Sequence, residues 1–185
     1  MPAVENLLGA ENLTAEEIRH RLAESRPDAV AAMALRLVRA ASPNPPGSTK
    51  AAAGVAAAIL SEHVPDAEIV LHEAAPGIVN LAARIHGTGP GRRMIFNGHL
   101  DTYPVGPVEN WTVDPSGARD GNRLYGRGAS DMKGGIAAAI LAFSALAKVR
   151  SHWHGEARPD ARRRRGDHGS SWHPVADGQR HLGDR

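Results

Sequence analysis

The sequence predicts an α/β fold, a sandwich of helices packed on a largely parallel or mixed sheet. Three observations carry this expectation. Apolar residues recur at helical spacing between residues 28 and 61. Short strand-like runs separated by turn clusters follow, from 68 to 125. A long apolar helix then begins near Lys133.

Thr14-Ala-Glu-Glu17 has the form of a capping box, in which a hydroxyl accepts from an open helical N–H and Glu17 reaches back. It starts a short polar helix to about Ser25. A second helix follows Pro27-Asp28, with Val30, Met33, Leu37 and Val38 on its apolar side. Ser42-Pro-Asn-Pro-Pro-Gly47 ends it, because consecutive prolines cannot continue the hydrogen-bond ladder. Ser48 or Thr49 caps a third helix, from Ala51 to about Ser61. Strands are expected at Glu68–His72, Ile78–Ile85, Arg93–Asn97 and Arg123–Tyr125, with turns at Gly87–Gly91 and Asp120-Gly121. The last helix runs from Lys133 to about Val149 and aligns Ile136, Ile140, Phe143 and Ala147.

Composition limits the chemistry. With aromatics at 4%, Ala, Val, Ile and Leu must fill the core. The absence of cysteine removes disulfides, thiolate ligands and a cysteine nucleophile, so a metal site must use His and carboxylates. A pI of 9.4 invites a nucleic-acid reading, but the excess charge is only +2, and no nucleic-acid partner is expected. The N-terminus lacks a basic stretch followed by an apolar core, and no apolar run approaches a bilayer span. The expected location is the cytoplasm, without membrane association.

The character of the chain changes near Lys148. From Ser151 onward Val175 and Leu182 are the only Val, Leu, Ile, Met or Phe residues, while five histidines and the run Arg162–Arg165 appear. Such a segment buries too little apolar surface to offset its ordering entropy, and residues 150–185 are expected to be disordered. The expected division is 1–27 as a helical extension, 28–149 as a catalytic-domain portion, and 150–185 as an Arg/His-rich tail.

Two segments carry chemistry. Gly98-His99-Leu100-Asp101-Thr102-Tyr103-Pro104 follows a strand, and Leu124-Tyr-Gly-Arg-Gly-Ala-Ser-Asp131-Met-Lys-Gly-Gly135 precedes the long helix. Both place ligand-type residues at strand ends, where open α/β sheets collect their sites. His99 and Asp101 lie two apart, on one side of extended backbone. That spacing suits a metal-bound imidazole with a carboxylate nearby to orient it. Asp131 sits at a loop-to-helix junction between glycines that let backbone approach an ion.

Together these segments resemble the paired signatures of the dinuclear zinc family that contains acetylornithine deacetylase, succinyl-diaminopimelate desuccinylase, aminoacylase and glutamate carboxypeptidase. Ser42–Gly47, Asn80–Arg84 and Asn110-Trp111-Thr-Val-Asp114-Pro115 extend the resemblance, which covers roughly residues 28 to 148. It implies a three-layer α/β/α zinc-peptidase-like domain, present here only as its N-terminal half. By position, His99 resembles a zinc ligand, Asp101 the catalytic aspartate that supports it, and Asp131 the carboxylate bridging two ions, with a cis peptide after it. The implied cofactors are two zinc ions, with cobalt or manganese as alternatives. The implied reaction is hydrolysis of an amide in an N-acyl amino acid or small peptide.

The family pattern then breaks. An adjacent glutamate pair some thirty-odd residues beyond the bridging aspartate would fall in Arg162–Asp167, and no glutamate follows Glu156. The distal ligands and the inserted dimerisation domain are also missing. The expectation is therefore a truncated, inactive hydrolase, with a frameshift near codons 148 to 151 as the cause. A half-site completed by a partner chain and a non-catalytic Arg/His-rich binding module are the alternatives.

Overall fold

The computed structural model describes Thr14, Glu16, Glu17, His20 and residues 27–162. The capping box forms as expected: the Glu17 N–H donates to Thr14 Oγ1 at 3.2 Å, and the Thr14 N–H donates to Glu17 Oε2 at 2.7 Å. Helix α1 spans Pro27–Arg39, with Asp28 in its first turn and Arg36 and Arg39 in its last, a distribution that complements the helix dipole. Helix α2 spans Lys50–His63. Strands β1 (Glu68–Ala75), β2 (Ile78–His86) and β3 (Arg93–His99) follow. Strands β4 (Ala118–Asp120) and β5 (Arg123–Tyr125) form a separate hairpin. A distorted turn, Ala129–Lys133, leads into α3 (Gly134–Lys148), and β6 occupies Glu156–Arg162.

The main sheet has the order β1-β2-β6-β3, antiparallel except for the parallel β3–β6 pair. It is mixed, as the sequence predicts. The alternation of β2 places Val79, Leu81, Ala83 and Ile85 on one face, where they pack with Ala56, Ile59 and Leu60 of α2 and with Ile136, Ile140 and Phe143 of α3. Helix α1 packs against α2 and α3 through Met33, Ala34 and Leu37. A bidentate Arg36–Glu62 pair, 2.6 and 2.7 Å, ties α1 to α2 at the surface. Ala52, Ala53, Ala56 and Ala137 let the helices approach the sheet closely, which is how a chain poor in aromatics fills its core.

Two expectations are corrected. Thr49 precedes α2 but does not cap it: its hydroxyl donates to the Val79 carbonyl at 2.7 Å and accepts from the Val79 N–H at 2.8 Å. The second concerns apolar length. Residues Ala129–Lys148, though kinked at Asp131 and Met132, are long and apolar enough by length and composition to cross a membrane. Ile136, Ala137, Ile140 and Phe143 are nevertheless buried against the sheet and its helices, so a core helix accounts for the composition.

The largest correction lies in the tail. Disorder was expected from residue 150, yet residues 150–162 are built into the fold. Trp153 donates from Nε1 to the Leu146 carbonyl at 3.0 Å, and its own carbonyl accepts from the Thr88 N–H at 3.0 Å. Gly155, at φ +109, packs against the Arg92 backbone, and β6 runs between β2 and β3. Backbone pairing on both edges orders a segment whose side chains alone give no strand signal. The rest of the tail, residues 163–185 with His168, His173 and His181, lies outside the described residues.

Candidate metal centre

His99 is the last residue of β3, and the fold holds the chain beyond it tightly. Leu100 and Asp101 are 0% and 4% exposed. The proline-rich loop clamps this segment from the side. Ser42 Oγ donates to the Leu100 carbonyl at 2.6 Å, the Thr102 N–H donates to the Ser42 carbonyl at 2.9 Å, and the Asn44 N–H donates to the Thr102 carbonyl at 2.8 Å. Asn44 Nδ2 also donates to Asp101 Oδ2 at 3.0 Å, which sets the orientation of that carboxylate.

Asp131 arrives from the other side. The Asp131–Met132 peptide is cis, as the resemblance implies, and both residues leave helical backbone (φ −124° and −137°). Gly128 at φ +85 makes this approach possible: a Cβ there would lie 2.3 Å from Thr102 Cγ2. The Met132 thioether packs under Gly98 and accepts from the His99 N–H at 3.4 Å. Lys133 is buried behind the turn and donates to the Ala40 carbonyl at the end of α1 at 2.7 Å. Burial lowers its pKa to about 8.

These constraints bring the three expected residues together. His99 Nδ1 lies 3.0 Å from the Asp101 carbonyl and 3.7 Å from its carboxylate, while Nε2 lies 2.9 Å from Asp131 Oδ1. A carbonyl can only accept, so Nδ1 must carry a hydrogen. In the neutral ring the Nε2 lone pair then faces a carboxylate oxygen. A cation between them, a proton or a metal ion, reconciles that contact. An imidazole nitrogen and a carboxylate oxygen are donors that zinc, cobalt and manganese all accept. The donors fit such an ion, but as part of a site: among the described residues no group of three or more His, Cys, Asp or Glu is placed to hold one.

The sequence argument missed Ser42 and Asn44, which sit nearly sixty residues before the segment they brace; the family-like loop Ser42–Gly47 was the one available signal. It also missed the packing of Arg127 over the Trp111 ring, 5.0 Å from its centroid, with Trp111 Nε1 donating to the Val105 carbonyl at 3.0 Å. This pair shapes the loop between the two signatures.

Residues 95–155 match the family model described as Peptidase family M20/M25/M40. The succinyl-diaminopimelate desuccinylase of Ruegeria pomeroyi is 52% identical over 67 residues, 36% of this chain and 18% of that protein. The same enzyme from Rhodospirillum centenum is 55% identical over 65 residues, 34% of this chain and 16% of that protein. The chain thus spans less than a fifth of these curated relatives. In fold, an M20 family metallo-carboxypeptidase from Sulfolobus solfataricus superposes with a TM-score of 0.63 at 21% identity, over 73% of this chain and 30% of its own. Human carnosine dipeptidase 1 gives 0.59 at 20% identity, over 80% and 34%. Motif order and local identity agree that residues 95–155 match the peptidase family M20/M25/M40, and the fold around them is like that of solved M20 structures.

Proposed function

We propose that this chain is part of a metal-dependent hydrolase that cleaves an amide bond in an N-acyl amino acid or small peptide, with N-succinyl amino acids the first substrates to test. The desuccinylase relatives support that substrate choice. The observation that carries the reading is the 2.9 Å approach of His99 Nε2 to Asp131 Oδ1, with Nδ1 held at the Asp101 carbonyl. His99 and Asp131 would hold the metal, zinc by preference. Asp101 positions the imidazole and fixes its tautomer. When bound, the metal lowers the pKa of a water and polarises the scissile carbonyl. A separate general base must take the proton from that water and return it to the leaving amine. No glutamate after Glu156 is available for that task. Residues 1–185 alone are therefore expected to hold fewer than two ions and to show no turnover.

A chimera tests the reading: residues 1–155 of this chain joined to the remainder of the Ruegeria pomeroyi desuccinylase. It should bind two metal ions per chain and hydrolyse N-succinyl amino acids. His99→Ala or Asp131→Ala should each lower kcat/KM by about 10³-fold, corresponding to about 4 kcal/mol of transition-state stabilisation. A folded chimera whose metal content and turnover survive both substitutions would overturn the assignment.

A further inference from the structure

Strand β6 has neighbours on both edges, β2 antiparallel and β3 parallel. A central strand of this kind ordinarily reads as a run of Val, Ile and Leu. This one reads Glu-Ala-Arg-Pro-Asp-Ala-Arg. Pro159 lacks the N–H that a central ladder requires, and pairing with β2 lapses between Ala82↔Asp160 and Ile85↔Ala157. Arg158 and Asp160 are 9% and 6% exposed and pair with each other at 2.9 Å, an ion pair in place of apolar side chains in a central strand. On the helix-facing side, Ala157 and Ala161 are short, and a void of about 30 Å³ lined by Leu60, Phe96, Ile136 and Ala161 remains. The fold calls for large apolar side chains where the chain supplies none.

The genetic code resolves the conflict. The chain's 22 basic residues include only Lys50, Lys133 and Lys148 as lysines, a bias that fits CGN arginine codons. Positions 157–162 are then GCN-CGN-CCN-GAY-GCN-CGN. From the second base onward this reads CNC-GNC-CNG-AYG-CNC-GNC, which admits Leu-Val-Leu-Thr-Leu-Val. The following codons become GNC-GNC-GNG-GNG-AYC-AYG. They admit aspartate at position 164 and glutamate at both 165 and 166, thirty-odd residues beyond Asp131. The third register contains only NCG, NCC, NGA, YGC, NGG, YCA and YGG codons, and none of these encodes an acidic residue or Val, Ile, Leu or Met. A single alternative register therefore admits both the buried strand and an adjacent acidic pair.

We infer that the message is read one base out of register from the codon after Glu156, and that the in-register message encodes an apolar central strand followed by the acidic pair that the half-site lacks. This places the break later than the codons 148 to 151 expected from composition. The family match runs to residue 155, and residues 150–155 are anchored to the body of the fold. The inference rests on the hydrolase reading for the role of the acidic pair, but not for the register.

Sequencing the coding DNA across codons 150 to 170 decides the register with no metal or substrate involved. The expected result is Leu, Val, Met or Thr at most of the shifted positions 157–162 and glutamate at both GNG codons. Pro, His, Gln, Arg or Gly at those positions, or AGR codons at the arginines, would overturn it. Deleting one base at codon 157 then tests the role of the pair. The repaired product should hold two zinc ions per chain by mass spectrometry of the metal, where the present chain holds fewer than one. A soluble repaired product with no gain in metal would overturn that role and leave the register standing. The chimera with the relative's own second half judges the hydrolase reading separately.

Discussion

Replacing Pro159 with valine is expected to stabilise the chain by about 1 kcal/mol. Pro159 is buried in β6, opposite Phe96 of β3, and the β2 ladder lapses beside it. Valine returns a backbone N–H to that gap, and one intramolecular hydrogen bond contributes a net ~1 kcal/mol. Exchanging a depleted strand residue for a β-branched one adds up to ~1 kcal/mol. Against these gains, removing a proline frees the unfolded chain, at a cost of about 0.4–1 kcal/mol. Valine carries as many side-chain carbons as proline, and the neighbouring void of about 30 Å³ gives its two splayed methyls room. For a chain of this length the net gain corresponds to a rise in Tm of about 2–4 °C. Thermal unfolding followed by circular dichroism, checked by the urea midpoint at constant m, measures it. A Tm at or below that of the parent would refute the argument that the missing N–H interrupts the ladder.

Thr49→Val should cost about 2–4 kcal/mol in urea unfolding, because it strands both the N–H and the carbonyl of Val79 in a fully buried setting. Gly128→Ala should cost more than about 2 kcal/mol, since it combines positive φ with a Cβ 2.3 Å from Thr102 Cγ2, and the loss will appear as a lower urea midpoint. A pH effect is expected from His63, whose pKa burial lowers below the ordinary imidazole value. The unfolded chain then binds the proton more readily than the folded one, so stability is full above about pH 6.5 and falls as pH drops through the folded value. Tm measured between pH 7.5 and 5 should decline, and His63→Gln should flatten the slope. Asp66 acts in a lower window: the hydrogen bond from Arg150 holds its carboxyl below the usual range, so its contribution disappears only as pH falls under about 4.

Features whose cause is local were legible in the sequence. The Thr14–Glu17 capping box, the apolar stripe of α1, the proline-rich stop after it and the strands at 78 and 93 all depend on interactions within a few residues. Backbone hydrogen bonding and side-chain period therefore announced them. The order of His99, Asp101 and Asp131 along the chain was likewise enough to suggest a metal site. Tertiary structure alone decided which neighbours complete these local units. It turned the Thr49 hydroxyl from its own helix to Val79, and it brought Ser42 and Asn44 to brace the segment after His99. It also placed Glu156–Arg162 at the centre of the sheet. A strand enclosed by two others draws its order from their backbones, and that energy is written in β2 and β3 rather than in the strand's own residues.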